Sequence, residues 1–124
     1  MRLRRMVGRL GSTAKGVMNR TEARFADRLK SLQLSGEVVS YHYEAIKVCV
    51  VPSLPGARQA VFYTPDFMVL YASGDVEMID VKGSGGWEDT ARVKIKAAAA
   101  RFPMFGWCGY TFTKSGHWER EAFN

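Results

Sequence analysis

Phe62-Tyr63-Thr64-Pro65-Asp66-Phe67-Met68-Val69-Leu70-Tyr71, then Ser73-Gly74-Asp75, then Val76-Glu77-Met78-Ile79-Asp80-Val81-Lys82 read together as a β-hairpin. Both arms are rich in β-branched and aromatic residues, and a glycine-containing turn joins them. On an alternating strand Asp66, Met68 and Leu70 share one face, as do Val76, Met78, Asp80 and Lys82. The two sets fall on the same side of the sheet when paired residue numbers sum to an even value. A three-residue loop at 73–75 satisfies this by pairing Ala72 with Val76 and Asp66 with Lys82, whereas a two-residue loop puts Asp66 on the opposite face. Two carboxylates so placed can hold a hard divalent cation through oxygen. A lysine beside them can face the water or phosphate that the cation polarises. The plainer alternative has Asp66 capping a turn after Pro65 and Asp80 and Lys82 forming a solvated strand end. Against it, carboxylates beside Met and Leu on a buried face are costly without a cation or an ammonium as partner.

The hairpin reads as a strand over 61–71 and a returning strand over 76–82. Gly83-Ser84-Gly85-Gly86 breaks the chain, and a helix follows from Trp87 or Glu88 to Arg101, stopped before Pro103. Residues 105–113 form a last apolar strand, followed by a polar tail. Upstream, residues 19–34 read as a helix, with Asn19 as N-cap and Phe25, Ala26, Leu29 and Leu32 at helical spacing. Residues 37–51 alternate as strand, but the parity changes near Glu44-Ala45, which indicates a bulge or two strands. Residues 52–60, with two prolines and a glycine, form a loop. The second helix links the returning strand to the last one, as a crossover to a parallel neighbour does. The fold class is α/β, a mixed sheet flanked by helices.

A chain of 124 residues makes one domain with a single core. No apolar run approaches the eighteen or so residues of a membrane span, and the N-terminus lacks the apolar stretch of a secretory signal. Cys49 and Cys108 have no metal-ligand spacing and read as buried free thiols in a reducing cytosol. The net charge of +6 is concentrated: Arg2, Arg4, Arg5, Arg9, Lys15 and Arg20 stand among residues 1–20 without an acid, while residues 21–124 carry twelve bases and twelve acids. Such an arm suits a polyanion, because neutralised phosphates release counterions. A solubilising tail or a targeting peptide would share this composition.

Other residues join the site by position. Glu22 precedes Phe25, Ala26 and Leu29 on the apolar stripe of the first helix, so it points toward the sheet. Asn19-x-x-Glu22 also has the form of a capping box, and the two roles are compatible. Lys94 lies on the stripe of Ala91 and Ala98 and could bind phosphate or brace an acid, or else snorkel to solvent. Arg92 and Lys96 read as solvent-facing, with a nucleic-acid backbone as the partner they would suit. His42 and His117 read as hydrogen-bonded structural histidines. Trp87 could stack on a base, but packing the helix start on the core is the simpler reading.

Four segments taken together resemble the PD-(D/E)xK nuclease superfamily: residues 19–25, residues 62–67, Ile79-Asp80-Val81-Lys82-Gly83, and Trp87-Glu88-Asp89 leading into Lys94 and Lys96. More narrowly, the chain is similar to small phage-encoded endonucleases, some of them Holliday-junction-resolvase-like. The resemblance runs from residue 19 to about 113 and implies a restriction-endonuclease-like core of order α-β-β-β-α-β in a nuclease domain, 19–124, preceded by a basic arm, 1–18. It implies that Glu22, Asp66, Asp80, Lys82 and Lys94 are catalytic. Asp66, Asp80 and the Val81 backbone carbonyl would ligate Mg²⁺ or Mn²⁺, with Glu22 ligating directly or through water. The second acid is Asp80, where many relatives carry Glu. DNA would be the partner, contacted by Arg2, Arg4, Arg5, Arg9, Lys15, Arg20, Arg92 and Lys96, in the cytoplasm of a bacterial host and with no membrane involved. A branched substrate would call for a homodimer, which no sequence feature decides. A non-catalytic DNA-binding module and an RNA-processing nuclease are the competing readings; retention of all four of Glu22, Asp66, Asp80 and Lys82 argues against the first.

Overall fold

The computed structural model describes residues 16–124, so Arg2, Arg4, Arg5, Arg9 and Lys15 lie outside the described residues. The chain runs α1 (Arg20–Leu34), β1 (Val38–Tyr43), β2 (Val48–Val51), β3 (Val61–Tyr63), β4 (Phe67–Tyr71), β5 (Val76–Lys82), α2 (Asp89–Arg101), β6 (Gly106–Phe112) and β7 (Trp118–Ala122). Five strands form one sheet in the order β1-β4-β5-β6-β7, and β2 pairs with β3 in a separate two-stranded sheet. β5 and β6 are parallel and the other neighbours antiparallel. The protein is thus α/β, with a mixed sheet and two helices. No helix among the described residues is long and apolar enough to cross a membrane.

The helices cover opposite faces of this sheet. Phe25 and Leu29 of α1 pack on Val38, Phe67, Val69, Ile79, Val81 and Cys108. Ile95, Ala98 and Ala99 of α2 pack on Val50, Tyr63, Met78 and Trp107. Ile79 and Val81 belong to one cluster and Met78 to the other, as strand alternation requires. β5 is therefore covered on both sides, and the even-numbered face carrying Met78, Asp80 and Lys82 is the α2 side.

The hairpin keeps the even-sum rule but not the expected partners. Leu70 pairs with Val76 and Phe67 with Ile79, a register that sets Asp66 opposite Asp80 and not Lys82. The turn is shifted by one residue, to 72–74, closed by Tyr71 N–H to the Asp75 carbonyl at 2.9 Å. The single strand expected over 61–71 is also corrected. It breaks at Thr64-Pro65-Asp66, where proline holds its predecessor extended and offers no N–H to a ladder. The parity change at Glu44 proves to be a boundary between two strands. Glu44 itself sits at φ 47, a left-handed conformation that turns the chain from β1 toward β2.

The polar tail expected after residue 113 forms a further strand, β7, along β6, after a turn in which Thr113 N–H meets the His117 carbonyl at 2.8 Å. Its charges are tied to the body: Arg120 to Glu77 and Arg92 to Glu121, each at 2.6 Å.

Candidate active site

Where β4 peels away from β5, side chains take over from the backbone ladder. The Val81 N–H donates to Asp66 Oδ2 at 2.8 Å, and the Asp66 N–H donates to Asp80 Oδ1 at 3.3 Å. In an extended strand the N–H and C=O of one residue point to the same edge. The Val81 carbonyl therefore faces the gap that Asp66 occupies. Lys82 Nζ lies 3.6 Å from Asp80 Oδ2. A pocket of about 420 Å³ opens here, lined by Asp66, Asp80, Lys82 and Lys94 together with Phe62, Tyr63, Thr64, Thr90 and Ala91. Lys94 forms no ion pair among the described residues.

The electrostatics are those of acids held without enough counter-charge. Burial, and then the charge of Asp80, pushes Asp66 up to about 8, against the hydrogen bond from Val81; Glu22 adds a smaller push and Lys82 opposes it. Burial also raises Asp80, which is only 4% exposed, while the Lys82 ammonium pulls it down. Tyr63 is the companion that sequence reasoning missed. Its buried hydroxyl has no hydrogen-bond partner among the described residues. Burial and then the Asp80 charge raise its pKa far above the ordinary phenol range.

Glu22 stands off this pocket. Its Oε1 accepts from the Asn19 N–H at 2.9 Å and from the Tyr43 hydroxyl at 2.8 Å, while its own N–H donates to Asn19 Oδ1. The capping box is thus realised, and Glu22 reaches the site through its charge on Asp66.

Trp87 packs as a structural residue. A Cβ on Gly109 would fall inside its indole ring, so β6 needs glycine at that point. Lys82 Nζ lies 5.0 Å from the Trp87 ring centroid and Arg92 Cζ 5.2 Å, so the indole helps to hold the catalytic candidate Lys82. Arg92 is half-buried and paired with Glu121 at the surface. Arg20 and Lys96 are exposed. His117 lies within hydrogen-bonding distance of Thr113 and Ser115, whereas His42 is exposed. Cys49 and Cys108 are free thiols, the first half-buried and the second buried.

Among the described residues no group of three or more His, Cys, Asp or Glu side chains converges as a ready metal cage. Mg²⁺ does not require one, since it commonly takes one or two carboxylates and fills its octahedron with waters and substrate oxygens. Two carboxylates raised by burial and mutual repulsion, with a carbonyl edge beside them, supply hard oxygen donors that suit such an ion.

A larger cavity of about 530 Å³ lies at the other end of β5, lined in part by Tyr71, Glu77, Tyr110 and Arg120. Its polar groups are already paired: Glu77 accepts from both Tyr71 and Arg120. The smaller pocket is the one with unsatisfied chemistry.

No protein-family model matches the chain, and no curated protein matches it. A solved structure described as "Crystal structure of SSO0001" is similar in fold, with a TM-score of 0.50 and 14% sequence identity. The similarity covers 85% of this chain and 53% of that one, so the chain spans about half of that protein's length. At that identity the likeness shows a shared fold.

Proposed function

We propose that the protein is a metal-dependent endonuclease that hydrolyses phosphodiester bonds of DNA, on a restriction-endonuclease-like core of the PD-(D/E)xK type. The observation that carries this reading is the convergence of Asp66, Asp80, Lys82 and Lys94 on one pocket, with the two acids fixed by hydrogen bonds across the opened hairpin. Asp66, Asp80 and the Val81 carbonyl would hold Mg²⁺ or Mn²⁺, which when bound polarises a phosphoryl oxygen and makes a water more acidic.

The remaining roles belong to the chain itself. Lys82, anchored by Asp80 and Trp87, orients the attacking water and offsets charge that builds on the phosphoryl oxygens. Lys94 binds a non-bridging oxygen and so positions the phosphate. Attack by the water oxygen forms the new P–O bond as the bond to the leaving sugar oxygen breaks; the water's proton is released and the leaving oxygen gains one. Tyr63 lines the pocket beside the two acids, and Glu22 adds a smaller share to the charge felt by Asp66.

DNA intermediates of replication or recombination, branched forms included, are the proposed substrates, and a homodimer would place two sites on a junction. The test is incubation with Mg²⁺ or Mn²⁺ and a panel of linear, single-stranded, flapped and four-way-junction DNAs, with matched RNA. Cleavage that needs the ion and disappears in Asp80→Ala supports the reading. Binding without cleavage under every condition would instead favour a non-catalytic DNA-binding module.

A further inference from the structure

Phe62 and Tyr63 are neighbours on β3 with opposite fates. Tyr63 is buried against Trp107, with ring centroids 6.2 Å apart. Phe62, on the other face of the strand, is 45% exposed and lines the mouth of the Asp66–Asp80 pocket. Phe62 pairs with Cys49 across the two-stranded sheet, and alternation turns Lys47 to the same side. Lys47 Nζ lies 4.7 Å from the Phe62 ring centroid. An aromatic ring and an ammonium are thus displayed together on a hairpin that packs against α2 through its other face.

Neither group is explained by packing. The Phe62 ring leaves apolar surface in water, which a buried position would have removed. Lys82 and Lys94 stand in the adjoining pocket, so the ring borders a place suited to phosphate. Cations that follow a backbone, interleaved with an aromatic face that takes bases, are how proteins hold single strands without reading their sequence. A base in an intact duplex is stacked on both sides by its neighbours and has no free face to offer. An unpaired base has one.

We propose that Phe62, with Lys47, is a stacking platform for an unpaired base flanking the phosphate held at Asp66 and Asp80, so that the substrate is single-stranded or locally unpaired nucleic acid. This inference rests on the reading of that pocket as a phosphodiester site. Trp87, the aromatic that the sequence offered for stacking, is packed against Gly109 and Phe123 and is not free for that role.

The experiment is fluorescence anisotropy with the full chain in EDTA, using a labelled mixed-sequence single strand, the same strand in a duplex, and DNA and RNA versions of each. Phe62→Ala is expected to weaken single-strand binding by about tenfold and to leave duplex binding unchanged. Phe62→Trp should retain binding, and Phe62→Leu, apolar but without a π-face, should behave like Phe62→Ala. Equal single-strand affinity in Phe62→Ala and the parent, restoration by Phe62→Leu, an equal loss on duplex, or no single-strand binding by the parent would each overturn the platform. A difference between the DNA and RNA arms identifies which strand the platform serves. The assay contains no metal, so failure of hydrolysis in a separate Mn²⁺ reaction counts against the pocket and not against stacking.

Discussion

Asp66 and Asp80 are joined through the backbone: the Asp66 N–H donates to Asp80 while the Asp66 carboxylate accepts from the residue after Asp80. Two like charges are thereby held together where water is largely excluded. Burial and mutual repulsion give the pair a high proton affinity, and a divalent cation would relieve both.

The first prediction concerns pH. Asp66 moves from an ordinary 3.8 to about 8, and Asp80 moves in the same direction. Between those pH values the folded, metal-free protein holds protons that the unfolded chain has released. Its stability therefore falls as pH rises from about 4 to about 8 and levels off above. Thermal melts across this range should show the decline, and Mn²⁺ should raise the melting temperature most at the alkaline end. Asp66→Asn should flatten the profile; an unchanged slope in that variant would place the titration elsewhere.

Asp66→Ala and Asp80→Ala should each abolish cleavage and weaken Mn²⁺ binding, whereas Lys82→Ala should leave Mn²⁺ binding in place. Lys82→Ala should slow single-turnover cleavage by roughly 10²–10³-fold, the usual cost of removing a group aimed at developing charge. Calorimetry with Mn²⁺ separates the two classes. A Lys82→Ala protein that no longer bound the ion would make that lysine a support for the acids alone.

Glu22 separates capping from catalysis. Glu22→Ala should cost about 1–3 kcal/mol through loss of the hydrogen bonds its carboxylate accepts from the Asn19 N–H and the Tyr43 hydroxyl, while Asn19 still caps the helix. Glu22→Gln can still accept from the Asn19 N–H and should keep that stability. It should also keep more cleavage than Asp80→Asn, because the carboxylate stands off the pocket. Loss of activity equal to that of Asp80→Asn would return Glu22 to the metal shell.

Gly109→Ala should destabilise the protein by about 1–3 kcal/mol, since the new methyl overlaps the Trp87 ring and forces it to move. Lys82 rests on that ring, so the variant should also lose cleavage beyond what its folded fraction explains. A stable, fully active Gly109→Ala would separate the indole from the placement of Lys82.

Deleting residues 1–18 should weaken DNA binding and leave the metal affinity of the body unchanged, while loss of Met18 from the α1-side core lowers the melting temperature somewhat. The slope of log K against log salt should become shallower by about 0.9 for each duplex phosphate that the arm no longer neutralises. An identical slope in the truncated and full chains would make the arm a passive tail.

Local rules made part of this fold legible. Asn19 and Glu22 announced the start of α1, and Gly83–Gly86 and Pro103 bracketed α2, whereas the hairpin sequence allowed Asp66 on either face and its even-sum register puts it with Asp80 and Lys82. What escaped depends on distant partners. β7 is polar because Arg120 and Glu121 are satisfied by Glu77 and Arg92, which sequence spacing does not reveal. Pro65 warned of a break, yet only the pairing of β2 with β3 shows that the chain leaves the main sheet before it. Tyr63 and Phe62 read alike in sequence; their different surroundings bury one beneath Asp80 and expose the other.

Single-turnover cleavage of labelled DNA, comparing the parent protein with Asp80→Ala at the same Mn²⁺ concentration and with EDTA as blank, tests the central claim most directly. Product is expected from the parent only when Mn²⁺ is present, and none from Asp80→Ala. Equal product from the two proteins, or product from the parent in EDTA, would contradict it.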